Sequence, residues 1–466
     1  MRWMSVFVVL LVACGDDDGG GVDAAMDVGP SVDGAMVDAA QSDGSLPPPD
    51  AGADSGMDSG LPSECPAGES IADPLTGTPG FAVVGSDYTS TSIAVLNASG
   101  DVLAEEWIDS GTMAPGLVAS LGGDIVLPAP MAGTLGLLDR FGADVATRVC
   151  FDGTLIGQLR LGPAEGFRVN AHDWVVVGPN LAWATRYERN PDMMAAPEEA
   201  GNDLLGFDPR TMTLTGDRID LSDFDAMVTG QNMGSPAEVE VSARPDRVVR
   251  VDGHVVVGLD RLPVNLFGDA RGHGEGTVVL VADDGTVTSH TLTGLANCGR
   301  VQPVAGTSDE VLVTCTGYSD LGFGEPTGER ATAGHVRLRI EGGNATEISS
   351  WRAADDATSA MAVYGPVSLG GDRLVAVAPG EFDGSVGDRL FVVDLSSGAQ
   401  TELLEAGAAF VLGDGAYDGD ELLLVPDAND GTVRRFTVTA SAVTEGTAVP
   451  VGPAALPPRS IRMLRP

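Results

Sequence analysis

From residue 78 onward one phrase recurs: an apolar run, a polar turn, a second strand-like run, then a Gly, Asp or Asn turn into a third run that alternates. It can be followed seven times. The clearest pairs are Phe81-Ala82-Val83-Val84 with Ser92 to Leu96, Asp124 to Leu127 with Leu135 to Asp139, and Trp174 to Val177 with Leu204 to Asp208. The later ones are His254 to Val257 with Val278 to Val281, Glu310 to Val313 with His335 to Leu338, Arg373 to Val377 with Leu390 to Asp394, and Glu421 to Val425 with Thr432 to Phe436. No window of twelve or more residues after 78 carries an i, i+3, i+4, i+7 stripe free of Gly or Pro. The helical period is missing, so the chain is expected to be all-β.

An uninterrupted apolar run suits a strand buried on both faces, and an alternating run suits a strand farther out. Four such strands make one blade, and a radial array of blades hides most of their edges. The expectation is a single β-propeller of seven four-stranded blades over residues 78–456, with 65–77 as a lead-in and 457–466 as a tail or closing strand. Blades of this length exceed the usual 40–50 residues, and the excess falls in three loops, 187–203, 262–276 and 317–334, rich in Gly, Pro, Asp or Glu. Two β-sandwiches would need a linker, and none interrupts 78–456.

Leu424-Val425-Pro426-Asp427-Ala428-Asn429-Asp430-Gly431-Thr432-Val433 resembles the repeat of YVTN-like propellers, as does Phe391-Val392-Val393-Asp394-Leu395-Ser396-Ser397-Gly398. The resemblance, shared with WD-like propellers, implies the same radial fold.

The N-terminus reads as an address. Arg2 is followed by Val6-Phe7-Val8-Val9-Leu10-Leu11-Val12-Ala13 and then Cys14. One charge and about eight apolar residues make a signal peptide over 1–13, far short of the ~20 residues that span a bilayer. Leu11-Val12-Ala13-Cys14 resembles the lipobox of bacterial lipoproteins, and with the propeller it resembles envelope lipoproteins of myxobacteria. The resemblance implies cleavage after Ala13 and acylation of Cys14, whose two or three chains would anchor the protein stably. Gly15 stands where Asp would retain a lipoprotein in the inner membrane, so the resemblance points to the outer membrane, facing the periplasm or the cell surface. The membrane is then touched through lipid alone.

Between that Cys and the repeats, residues 15–64 hold eleven Asp and Glu64 with no basic or aromatic residue. Like charges separated by Gly, Pro and Ala cannot bury enough surface to offset ordering, so 14–64 is expected to be a disordered acidic tether. Asp16-Asp17-Asp18-Gly19 lacks the spacing and the terminal Glu of a calcium loop. The whole chain has 67 acidic and 26 basic residues, every basic one Arg, for a net charge of −41. Such a field keeps a protein soluble and monomeric and excludes nucleic acid as a partner.

Four cysteines remain after Cys14, an even number in an exported chain, so disulfides are expected. A hairpin turning at Gly306-Thr307 sets Cys298 opposite Cys315. Cys65 is then left for Cys150, pinning the end of the tether to the second blade. Zinc is disfavoured because no C-x₂-C occurs and no His flanks these cysteines at ligand spacing.

No G-x-S-x-G, H-E-x-x-H or P-loop is present, and the five histidines at 172, 254, 273, 290 and 335 form no i, i+2 or i, i+4 pair. No catalytic residue and no metal ligand is therefore assigned. The most charged local stretch, Asp269, Arg271, His273 and Glu275 among glycines, is a candidate binding loop; a strand follows it where a phosphate cradle would need a helix N-terminus. The expected function is a non-enzymatic binding scaffold of the envelope, without cofactor, whose partner is an envelope protein or a glycan. The alternative is a calcium-dependent, lactonase-like hydrolase with its site in the channel. Three or more Asp, Asn, Glu or His converging there would favour the enzyme, and an apolar or Gly lining would oppose it.

Overall fold

The computed structural model describes residues 65, 68–112, 121–131, 133–140, 143–163, 166–192, 194–266, 268–318, 330–353, 362–381 and 384–464. Cys14 and the expected tether lie outside them.

The described residues are all-β apart from three single turns of 3₁₀ helix. They form antiparallel sheets laid out in chain order. Sheet II runs through Ile125–Val126, Thr134–Asp139, Val145–Cys150 and Leu155–Arg160, and sheet III through Ala171–Gly178, Leu181–Arg189, Gly201–Asp208 and Thr213–Asp220. Sheet IV takes Pro245–Val251, His254–Leu259, Gly276–Val281 and Val287–Leu292; sheet V takes Arg300–Pro303, Glu310–Cys315, Gly334–Glu341 and Asn344–Arg352. Sheet VI takes Tyr364–Gly370, Arg373–Ala378, Arg389–Asp394 and Gln400–Glu405. Sheet VII takes Ala416–Tyr417, Leu422–Asp427, Thr432–Val438 and Val443–Glu445, with Val449–Pro450 as a fifth strand. Sheet I joins the two ends of the fold: Pro458–Met463 lies beside Pro79–Ser86, which is followed by Thr91–Asn97 and Val102–Asp109. Its register pairs Phe81 with Met463 and Val83 with Ile461.

Strand faces explain why the middle strands carry apolar side chains on both faces. Side chains alternate across a strand, and here both faces are covered. Ala82 and Val84 pack with Leu135 and Leu137 of sheet II, whereas Phe81 and Val83 pack with Leu424 and Val433 of sheet VII. Val255 and Val257 turn toward sheet III and Val256 toward sheet V. Leu374 and Ala376 turn toward sheet V, while Val375 and Val377 turn toward sheet VII. Each sheet is thus the apolar wall of both neighbours, and sheet I closes on sheet VII. Each such Val, Leu or Phe side chain contributes about 1.5–3 kcal/mol of burial. Outer strands such as Val287–Leu292 and Gln400–Glu405 are mostly exposed and polar. The architecture is an all-β propeller.

Sheet IV is preceded by an excursion absent from the repeat pattern. Ala226–Asn232 and Ser235–Val241 form a hairpin turning at Met233-Gly234, and Ala270–Arg271 adds a short third strand. Only its third strand falls in one of the three loops expected to hold the excess length, 262–276; the hairpin lies outside them all.

The lead-in is docked on sheet II: Ile71 N–H donates to Gly153 O at 2.8 Å, and Leu75 N–H donates to Phe151 O at 2.9 Å. Gly153 has φ +85°, and a Cβ there would lie 1.8 Å from Ala72 O, so only glycine admits this approach. Cys65 is bonded to Cys150 and Cys298 to Cys315. The second bond sits at an irregularity that the sequence does not announce. Arg300 to Pro303 pair with Thr314 to Val311, one residue out of step with the expected register, whereas Thr316 N–H donates to Asn297 O as that register requires. The one-residue shift falls at Cys298-Gly299, beside Asn297 at φ 56°.

Candidate functional site

The first strand of each sheet borders the axis of the propeller. Asp173 of sheet III, Asp246 and Arg247 of sheet IV, Arg300 of sheet V, Asp414 just before sheet VII and Arg462 of sheet I all meet there. Arg300 Nη1 donates to Asp414 Oδ1 at 2.8 Å and Oδ2 at 2.9 Å, reaching from sheet V past sheet VI. Contacts between non-adjacent sheets require that these strands converge on one axis. The pair is enclosed by protein, yet the Arg300 and Asp414 side chains keep 27% and 38% of their surface accessible, so water reaches the channel they line.

His172, 3% exposed, stands in the same cluster. Its Nδ1 lies 2.8 Å from Asp246 Oδ1, and its Nε2 lies 3.3 Å from Arg140 Nη1. Arginine can only donate, so Nε2 accepts and Nδ1–H donates to Asp246. Burial, helped by the Arg140 charge, pushes the imidazole down to about 4 against the pull of Asp246. It is therefore neutral near pH 7. Burial opposes the charge on Asp246, but the His172 hydrogen bond and Arg247 prevail and hold it well below the usual carboxylate range. Asp414 is likewise held low, its burial outweighed by Arg300 and Arg247, and the Asp414 charge holds Arg300 above its ordinary value. Arg140 also binds Asp124, with Nη2 at 2.6 Å from Oδ1.

A stacked ring links this cluster to the next. Tyr187 lies 4.1 Å from His172 between ring centres, with planes 8° apart, and its hydroxyl donates to Asp260 Oδ2 at 2.9 Å. Asp260 Oδ1 accepts Gly299 N–H at 2.7 Å. A Cβ on Gly299 would lie 2.3 Å from that carboxylate oxygen, so the shifted backbone after Cys298 and the absence of a side chain together admit Asp260.

Asp173, Asp246, Asp414 and His172 satisfy the count of converging acidic and histidine groups that would favour a calcium enzyme. The donor set does not fit the ion. Calcium takes six to eight oxygens, several of them carboxylate, whereas Asp246 is engaged by His172 and Asp414 by Arg300. Asp173 accepts Trp174 N–H and Val248 N–H, and three arginines add like charge against a cation. Among the described residues the group of three His, Cys, Asp or Glu close enough to share an ion is Cys65, Cys150 and Asp152, two of which are spent in a disulfide. A second arrangement resembles a nucleophile with its base: Thr314 Oγ1 lies 2.7 Å from His335 Nδ1. Both residues are 0% exposed and His335 Nε2–H donates to Ala362 O, so no substrate reaches them.

Sheet II carries a titrating pair beside Asp124. Asp139, 1% exposed, accepts Gly122 N–H on Oδ2 at 2.7 Å, and its Oδ1 has no partner; Asp144 accepts Val169 N–H at 3.2 Å, and its Oδ1 also has none. Burial pushes Asp139 up to about 7 and Asp144 up to about 6, with Asp124 and Asp144 adding to the rise at Asp139. A carboxyl raised above its unfolded value of 3.8 stabilises the fold fully below that pH and loses the contribution as pH rises through about 7. Asp139→Asn is therefore expected to be more stable than the parent at pH 8, by about 2–4 kcal/mol, and to lose that advantage by pH 4. Urea midpoints across this range check it; a parallel pH dependence of the two proteins would refute it.

The candidate loop offers surface groups of both signs. Asp269 and Glu275 are exposed, Arg271 is spent on the carbonyls of Gly268 and Ala270, and His273 packs edge-on to Tyr318 at 5.9 Å. Sequence reading missed the axial residues because the recognisable phrases begin at the second strand of most sheets. The signal was present: a charged residue stands at the start of the inner strand in Pro245-Asp246-Arg247, Arg300-Val301 and Gly413-Asp414-Gly415.

No family model and no curated protein matches the sequence. Among solved structures the chain is similar to a hypothetical selenium-binding protein from Sulfolobus tokodaii, at 10% identity and TM-score 0.50 over 83% of this chain and 94% of that one. It is similar to a putative 6-phosphogluconolactonase from Bacteroides fragilis, at 12% identity and TM-score 0.49 over 84% and 100%. The Cps50 (Swd1) β-propeller domain of Myceliophteria thermophila matches at 10% and 0.46 over 80% and 97%. At such identities the likeness concerns the fold alone.

Proposed function

We propose that this chain is a lipid-anchored scaffold of the bacterial outer membrane, a seven-bladed propeller that binds an envelope protein or glycan and catalyses nothing. The observation that carries the reading is the condition of the axis, where the carboxylates and His172 that a hydrolase would use are tied to arginines and to one another. A macromolecular partner then falls to the surface. The extra sheet before sheet IV enlarges one region of it, with Met227 and Met233 exposed on its hairpin and Met194 exposed in the loop after Leu181–Arg189. The lipobox and the acidic run that precede the propeller in the sequence support this reading.

The anchor is tested at Cys14. A Cys14→Ser chain is expected to leave the detergent-requiring membrane fraction and appear in the soluble envelope extract, because no helix among the described residues is long and apolar enough to cross a membrane. Membrane fractionation identical to the parent would overturn the proposal.

A further inference from the structure

Donors and acceptors do not balance at the axis. Asp246 spends Oδ1 on His172, Asp414 spends both oxygens on Arg300, and Asp173 spends both of its own on backbone N–H groups. The arginines spend far less. Each guanidinium carries five N–H donors. Arg300 uses Nη1 alone, on Asp414, and Arg247 uses Nη1 on His172 O at 3.1 Å, with its Nε 3.6 Å from Asp246. Arg462 makes no hydrogen bond and no ion pair within 4.0 Å among the described residues, although Asp173 and Asp414 lie near enough to act on it through space. Arg247 acts on it too, with the repulsion of a like charge. None of the idle nitrogens of Arg247, Arg300 or Arg462 is sealed from water.

The geometry points to an oxyanion site in the channel, in which Arg462, assisted by Arg247 and Arg300, receives a carboxylate or phosphate group of a small ligand entering along the axis. A planar guanidinium matches such a group with two parallel hydrogen bonds, and an enclosed site strengthens them. An anion there supplies the missing acceptors and relieves the repulsion between Arg247 and Arg462. A cation would meet the opposite balance. The site is also selective by context: the protein as a whole carries −41, so an anion is repelled from its surface and held at the axis only by direct contact. Arg462 lies on the closing strand, opposite Ala82, so a bound anion would tie sheet I to sheets IV and V.

The inference is independent of the lipid anchor and of any surface partner. It is tested on the full-length mature protein in detergent by thermal unfolding and calorimetric titration, with inorganic phosphate, sulfate and acetate each compared with chloride at constant ionic strength. A saturable rise in Tm with phosphate or acetate is expected, because a ligand of the folded state stabilises it by mass action. Phosphate alone acting would identify a phosphate group, and acetate alone a carboxylate. Arg462→Gln is expected to weaken the affinity by about tenfold or more, and Arg462→Lys, which keeps the charge and loses the fork, to fall between. If Arg462→Gln does not fold, the parent and the lysine variant decide. No response beyond chloride in the parent, or equal affinity in parent and variants, would overturn the site.

Discussion

Deleting residues 457–466 is expected to abolish the single cooperative unfolding transition of the propeller. The segment supplies Pro458–Met463, the strand of sheet I that lies against Pro79–Ser86, and with it Ile461, packed between sheets I and VII, and Leu464, packed between I and II. Its loss strips Pro79–Ser86 of its backbone partners on one side, leaving those of Thr91–Asn97, and opens an apolar edge, which invites pairing between molecules. Calorimetry of the truncated chain should show a broad, low-enthalpy transition, and light scattering should show association. A truncated protein that melts cooperatively within about 4 °C of the parent would refute the view that this strand holds the ring closed.

The second large effect is expected at Asp203. Arg186 and Asp203 both have fully buried side chains and meet through two parallel bonds, Nε to Oδ1 at 2.7 Å and Nη2 to Oδ2 at 2.6 Å, and Arg218 also binds this carboxylate. Asp203→Ala leaves the Arg186 charge in the interior with only carbonyl oxygens of Leu161, Pro197 and Glu198 around it. Removing one partner of a buried pair costs about 3–5 kcal/mol, whereas replacing both by apolar residues is often neutral. The single variant should thus lose most of its stability in urea, and Arg186→Met with Asp203→Leu should recover much of it. A single variant within about 1 kcal/mol of the parent would show that the pair is solvated.

These two sites differ in how plainly the sequence announces them. The strands buried on both faces were legible, because Phe81 to Val84 or Arg373 to Val377 admits no helix among its Gly-rich surroundings and its apolar run needs cover on either side. The hairpin before sheet IV was hidden, although Ala237-Glu238-Val239-Glu240-Val241 alternates and Met233-Gly234 is its turn, because it lies outside the recurring phrase. The one-residue shift at Cys298-Gly299 was hidden as well. It answers to Asp260, which is 39 positions away in sequence and accepts the Gly299 N–H. The axial cluster was the least legible: Asp173, Asp246, Arg300, Asp414 and Arg462 come from five sheets, and each looks alone like an ordinary polar residue at a strand end.

Local sequence decided what each segment becomes, since strand or turn follows from the order of apolar, polar and glycine residues within about ten positions. It also determined the acidic field, which is a sum over residues and needs no geometry. Which charges meet was decided only by the closed ring. Convergence on an axis sets Arg300 against Asp414, 114 positions apart, and leaves Arg462 beside Arg247 with donors to spare. Coulomb interaction falls with distance in space and takes no account of separation along the chain.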